Sequence, residues 1–286
     1  MAEFSAEVFQ NEFLPEGATD VHAIVSVTCT GAGEAGRGGQ GDAAEIIIVD
    51  CSTSMSRDKI AAARHAAAVA IDQILDGTWF AIIAGTDVAY LAFPDPRSRM
   101  VRMDPSTRAA AKAAISRLQA NGGTAIGRWL RLARDLFATV PTATQRHAIL
   151  LTDGQNQGET PREFQQSIAY AQGFFQCDCR GVGADWQVAE LRAVASALLG
   201  TVELIARPED LEADFEALMR NAMGRGVAQA SLRVWAPQGA EVLFVRQVAP
   251  TLEDLSGRRE AVNALTGDYP TGAWGDESRD YHVAVP

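Results

Sequence analysis

The sequence predicts an α/β fold: a doubly wound, mostly parallel sheet with one antiparallel edge strand, accompanied by a small β-sandwich-like satellite made from both chain ends. Three observations carry that expectation. Short apolar runs, Ile46-Ile47-Ile48-Val49 and Ala148-Ile149-Leu150-Leu151, lack polar alternation, as strands buried on both faces do. Between residues 44 and 224 such runs alternate with helical patterns, the order that lays parallel strands side by side beneath helices. Outside that span the chain carries strand and turn patterns with little helix.

Residues 4 to 13 and 20 to 29 read as two strands about a turn at Pro15-Glu16-Gly17, with Val21, Ala23, Val25 and Val27 on one face of the second. The Gly-rich stretch from Gly31 to Gly41 reads as a linker. It divides the chain into residues 1–42 (N-terminal strands and linker), 43–226 (the main domain) and 227–286 (C-terminal strands). In the main domain the first buried strand is followed by an Ala-rich helix, Lys59 to Leu75, and a strand, Trp79 to Ala84. Val88 to Phe93 comes after only Gly85-Thr86-Asp87, a connection too short for anything but an antiparallel neighbour. Helices are expected over Thr107 to Gln119, Ile126 to Thr139, Pro161 to Ala171, Val188 to Leu199 and Glu209 to Met223; strands over 147 to 152, Phe174 to Val182 and Thr201 to Ala206. Beyond Arg225, strands are expected at Ser231 to Trp235, Val242 to Val248 and Tyr281 to Val285, packed with the N-terminal pair because three strands alone bury little. The last of them has no evident partner, which implies an open edge or a truncated chain.

A chain of 286 residues, 47% hydrophobic and 21% charged, has the composition of a soluble globular protein with room for one large domain and a smaller one. A formal net charge of −11 argues against a nucleic-acid partner, which needs a basic face. With no basic-then-apolar N-terminus and no apolar run of membrane-spanning length, no membrane partner is expected and the location implied is cytoplasmic. Cys29, Cys51, Cys177 and Cys179 lack metal-type spacing and read as free, mostly buried thiols. His22, His65, His147 and His282 are scattered and read as structural.

The chemistry concentrates where the first buried run ends. Asp50-Cys51-Ser52-Thr53-Ser54 puts an Asp and two Ser hydroxyls at alternate positions, three hard oxygens on one side of a turn, suited to a small divalent cation that keeps several waters. Downstream, Gly122-Gly123-Thr124 precedes a helical pattern and Thr152-Asp153-Gly154 closes the second buried run. This set resembles the metal-ion-dependent adhesion site (MIDAS) of von Willebrand factor A (vWA) domains, in the manner of intracellular bacterial members; Asp50, Ser52, Ser54, Thr124 and Asp153 match all five positions. The resemblance implies a Rossmann-like vWA fold, direct metal binding by Ser52 and Ser54, Asp50 acting partly through water, and Thr124 and Asp153 alternating with conformational state. It also implies a protein partner that offers an Asp or Glu carboxylate to the cation, in an adaptor role within a larger assembly. Mg²⁺ is the expected ion, because hydroxyl ligands and retained waters favour it, with Mn²⁺ or Ca²⁺ as alternatives. In a 3-2-1-4-5-6 sheet the strands ending in Asp50 and Asp153 are neighbours at the topological switch point, where such sheets bind ligands.

Three other readings compete. Ser52, Thr53 and Ser54 could merely cap the first helix, which leaves Thr124 and Asp153 unexplained. Cys51 to Arg57 has the Cys-x5-Arg spacing of tyrosine phosphatase loops, with Asp95-Pro96 as a conceivable general acid. Asp50 beside Cys51 would repel both a thiolate and a phosphate, and the loop has no glycine. Phosphoryl transfer on Asp50 with Asp153 fails on pattern, because position 52 is Ser where a second acid is needed and neither a lysine clamp nor a Walker-type loop is evident. The expectation is a binding module and not an enzyme.

Overall fold

A computed structural model describes the chain apart from residues 12, 38–40, 56–57, 96–98, 155 and 184–187 and the side chain of residue 188. In chain order the strands are β1 (Glu3–Gln10), β2 (Val21–Thr30), β3 (Asp42–Asp50), β4 (Trp79–Gly85), β5 (Ala89–Phe93), β6 (Val101–Arg102), β7 (Ala143–Thr152), β8 (Gln176–Val182), β9 (Val202–Ile205), β10 (Val227–Trp235), β11 (Phe244–Ala249), β12 (Glu253–Asp254), β13 (Glu260–Asn263), β14 (Thr266–Trp274) and β15 (Glu277–Val285). The helices are α1 (Asp58–Gln73), α2 (Pro105–Ile115), α3 (Ile126–Ala138), α4 (Pro161–Ala171), α5 (Val188–Ala197) and α6 (Leu211–Met223). They fall into two compact units, Ala35–Met223 and a second made of Met1–Glu34 with Gly224–Pro286. The larger unit begins inside the Gly-rich stretch, where Ala35 N–H donates to the Met223 carbonyl at 2.8 Å.

The sheet of the larger unit runs β5-β4-β3-β7-β8-β9, with β6 also paired to β4. This is the 3-2-1-4-5-6 order when β3 is counted first. β4, β3, β7, β8 and β9 are parallel. β5 is the antiparallel edge strand, and the two-residue β6 is a second antiparallel segment that the sequence did not reveal. The unalternating apolar run of β3 follows from burial on both faces. Ile47 and Val49 meet Ile60, Ala67 and Ile71 of α1 and Phe215 and Met219 of α6 in one layer. Ile46 and Ile48 meet Trp129, Leu130 and Phe137 of α3 and Ile168 of α4 in the other. Each Ile, Val, Leu, Phe or Met side chain among them contributes about 1.5–3 kcal/mol when fully buried.

Helix starts explain how the loops are held. α2 and α4 have capping boxes, Asp104 with Thr107 and Thr160 with Glu163, and each has Pro in the first turn. α3 has no side-chain cap at Ala125. Its first free N–H groups, of Ile126 and Gly127, donate instead to Asn156 Oδ1 (3.2 Å) and Glu159 Oε1 (2.6 Å), which fastens the loop after β7 onto this helix. Gly85 at the end of β4 is needed for close approach, since a Cβ there would lie 2.4 Å from the Trp129 ring, whose Nε1 donates to the Thr86 carbonyl at 2.7 Å.

The smaller unit pairs a five-stranded antiparallel sheet, β1-β2-β15-β11-β12, with a three-stranded one, β10-β14-β13. Cys29, Val245 and Tyr281 of the first and Val227, Tyr269 and Trp274 of the second form one core. Two expectations are corrected here. The last strand is not partnerless: β15 is internal, paired with β2 from Glu277↔Cys29 to Val285↔Val21 and with β11 on its other side. The C-terminal part also holds more than three strands, because β12, β13 and β14 lie in a stretch whose Asp, Gly and Pro content suggested loop.

Candidate functional site

The loops after β3 and β7, the end of β4 and the loop between α2 and α3 meet at the carboxyl end of the sheet and are tied by backbone hydrogen bonds. Cys51 N–H donates to the Gly85 carbonyl (2.7 Å), Asn121 N–H to the Cys51 carbonyl (2.6 Å) and Thr53 N–H to the Gly122 carbonyl (2.9 Å). The Thr124 carbonyl accepts from Gln157 N–H (3.0 Å) and Gly158 N–H (2.7 Å). Gly122 has φ +97° and a Cβ there would lie 2.7 Å from Asp87 Oδ1, so both conformation and space call for glycine.

This frame gathers the side chains singled out in the sequence. Asp50 is fully buried; its Oδ1 accepts from Ser52 N–H (2.7 Å) and its Oδ2 from Thr152 Oγ1 (2.5 Å). Ser52 and Ser54 hydroxyls are 2.9 Å apart, and Ser54 Oγ donates to Asp153 Oδ1 at 2.6 Å. A Cβ placed on Gly154 would sit 3.2 Å from Thr124 Oγ1, 3.4 Å from Ser54 Oγ and 3.7 Å from Asp50 Oδ2. Three oxygens, two from the end of β3 and the turn after it and one from the loop between α2 and α3, thus face one small space that glycine leaves open. It belongs to a 370 Å³ cavity lined by Ser52, Ser54, Lys59, Thr124, Asp153 and Gln157 among others.

The helix-cap reading of Ser52 and Ser54 is not what the structure shows. Ser52 precedes and Ser54 lies within a 3-10 turn, Thr53–Met55, while α1 begins only at Asp58; the two hydroxyls bond to each other and Ser54 bonds to Asp153. Missed in the sequence was Lys59, whose Nζ donates to Asp153 Oδ2 at 2.5 Å. One signal could have found it: a lysine in the first turn of a helix opposes the macrodipole, so it needs a nearby anion. Its presence removes one objection to aspartyl phosphoryl transfer, the lack of a lysine clamp, but the Ser at position 52 still stands against that chemistry.

Burial pushes the Asp50 carboxyl up to about 6, with the neighbouring Asp153 adding to it against hydrogen bonds from Thr152 and Ser52. A buried carboxylate in that state is stabilised by a further positive charge. The donors are hydroxyls and carboxylates, and among the described residues no group of three or more His, Cys, Asp or Glu side chains is placed to hold a metal ion. Such a set fits a hard divalent cation of the Mg²⁺, Mn²⁺ or Ca²⁺ class better than a thiophilic one. Burial pushes the Cys51 thiol up to about 12, with Asp50 adding, the opposite of what a thiolate nucleophile needs. Arg57 and Pro96 of the phosphatase reading lie outside the described residues. All four cysteines are free and buried. Among the described residues no helix is long and apolar enough to cross a membrane.

A profile of the von Willebrand factor type A domain matches residues 44–204. A solved structure described as a von Willebrand factor type A protein from Catenulispora acidiphila is 49% identical with a TM-score of 0.92, over 99% of this chain and 64% of that one. The ArnB paralog VWA2 from Sulfolobus acidocaldarius shares the fold at 16% identity, with a TM-score of 0.58 over 100% of this chain and 67% of that one. The uncharacterised protein sll0103 of Synechocystis sp. is 29% identical over 216 residues, 73% of this chain and 49% of that protein. The chain therefore spans about half the length of its curated relative and less than two thirds of the Catenulispora protein.

Proposed function

Because the chain belongs to the von Willebrand factor type A domain family, a family of protein-interaction modules, we propose that it binds an acidic side chain of a partner protein through a divalent cation held by Asp50, Ser52, Ser54, Thr124 and Asp153. The observation that carries this reading is the convergence of Thr124, Ser54 and Asp50 oxygens on the space beside Gly154. A divalent cation bound there, Mg²⁺ in the first instance, would supply an electrophilic, open coordination position. Ser52 and Ser54 offer neutral oxygens, Asp50 and Asp153 the charge, and the backbone bonds among these segments keep the groups in place without the ion. The raised thiol of Cys51 argues against a thiolate nucleophile at this site, and as a binding module the chain would serve as an adaptor in a larger intracellular assembly.

Calorimetric titration of Mg²⁺ into the full chain should reveal one site, and Asp153→Asn or Asp50→Asn should weaken it by at least about tenfold with the circular dichroism spectrum unchanged. A partner retained in Mg²⁺ should elute with EDTA. Titrations that show no divalent binding, or retention indifferent to chelation and to Asp153→Asn, would sink the reading. Gly154→Ala is a sterically defined companion: position 154 is not among the positive-φ glycines, so the backbone accepts alanine. The new methyl enters the cradle, and metal affinity should fall about as far as in Asp153→Asn, by about tenfold or more, while the melting temperature holds.

A further inference from the structure

Building on the metal-bridged reading, we infer that Lys59 is a second cation of the same site. It neutralises Asp153 while the site is metal-free, and it becomes a positioning charge for the partner's carboxylate once a divalent cation takes over that aspartate. Four observations meet here. The Lys59 ammonium is 2.5 Å from Asp153 Oδ2, while Ser54 holds Oδ1, so the two oxygens of one carboxylate are divided between a hydroxyl and an ammonium. The Asp153 side chain is wholly buried, whereas Lys59 is 28% exposed, so the ammonium reaches in from the rim of the cavity. Just after β8, Gly183 packs beside the lysine: a Cβ there would be in ordinary contact with Cε and Nζ at 3.5 Å. Finally, the helix dipole disfavours a cation in the first turn of α1, which also carries Asp58, and the carboxylate that Lys59 pairs with is Asp153.

Charge then decides the consequence. Two carboxylates and one ammonium leave the metal-free site with one net negative charge, and a divalent cation turns this into one net positive charge. Without Lys59 the loaded site would be neutral and would have far less attraction for an anion. Lys59 is thus an internal competitor of the metal and, after metal entry, the group that favours a carboxylate ligand over a neutral one.

The test uses the full chain, Mn²⁺ and acetate. Calorimetry gives Mn²⁺ affinity, and water-proton relaxation follows acetate as it displaces water from the bound ion. Lys59→Met should bind Mn²⁺ about tenfold more tightly and acetate about tenfold more weakly, since a partly exposed charge beside the ion is screened but not cancelled. Its metal-free form should melt at a lower temperature, and Lys59→Arg, which keeps the charge, should restore wild-type behaviour. Unchanged or weaker Mn²⁺ binding by Lys59→Met, or unchanged acetate binding, overturns the inference. If wild type binds Mn²⁺ in an Asp153-dependent way and Lys59→Met matches it, only the role of Lys59 falls. If neither protein takes up Mn²⁺, the metal-bridged reading falls with it.

Discussion

A chain lacking residues 1 to 30 should lose the folded state of the smaller unit while the larger one survives. The truncation removes both β1 and β2, and β2 is internal to its sheet, paired along β15 from Val21↔Val285 to Cys29↔Glu277. It also takes Cys29 out of the core and strips away Val25 and Val27, which pack against it, leaving Tyr281, Val245 and Trp274 uncovered on that side. At about 1.5–3 kcal/mol for each fully buried aliphatic side chain, against a total of about 5–15 kcal/mol for a typical domain, this loss is not one that the remaining strands can absorb. The larger unit draws every strand from residues 42 to 205 and its last covering helix ends at Met223, so it gives up none of its own elements. Limited proteolysis should show new cleavage beyond Gly224 and a protected fragment near residues 35–223, together with aggregation through the uncovered apolar face. A truncated protein that stays monodisperse, with unchanged cleavage beyond Arg225, would refute the shared core.

Much of the site was legible because its residues sit where the sequence pattern changes. Asp50 and Asp153 end apolar runs, Ser52 and Ser54 follow at alternate positions, and Thr124 follows a glycine pair whose first member the turn requires. What stayed hidden depended on distant partners. Lys59 reads as an ordinary helix residue until the packing of α1 brings it to Asp153, 94 residues away. Glu45 precedes an apolar run with nothing local to mark its role, yet it is a buried member of β3 whose partner, His147, is 102 residues away. β14 was obscured by Gly267, Pro270 and Gly272, all in a real strand. Pro270 is tolerated because it faces Ser231 at a register shift, beyond the Thr266–Asp268 stretch that pairs with β13. The place of β15 between β2 and β11 could not be read locally either, since no turn joins β2 to β15 and their pairing spans most of the chain.

Replacing His147 is the most damaging single change expected in the larger unit. His147 on β7 lies between Glu45 on β3 and Asp178 on β8, all three buried at 5%, 0% and 1% exposure. Nδ1 is 2.8 and 3.0 Å from the Glu45 carboxylate oxygens and Nε2 is 2.9 Å from Asp178 Oδ2, so both ring nitrogens donate and the ring is an imidazolium. Burial alone would lower its pKa, but the Glu45 charge and the hydrogen bonds to Asp178 and Glu45 outweigh it and hold the ring at about 9. The folded value lies above the ordinary 6.5, so His147 adds its full stabilisation below about pH 6.5 and loses it as pH rises through about 9. The shift corresponds to about 3 kcal/mol, in line with the roughly 3–5 kcal/mol cost of leaving a buried charge without its partner. His147→Gln, close in size but never charged, should therefore be about 3 kcal/mol less stable than wild type at pH 6.5. The gap should narrow towards pH 9.5, because wild type loses the same charge there while the variant has none to lose. Urea unfolding at both pH values measures this directly. A gap of equal size at pH 6.5 and 9.5 would mean that shape and not charge makes His147 necessary.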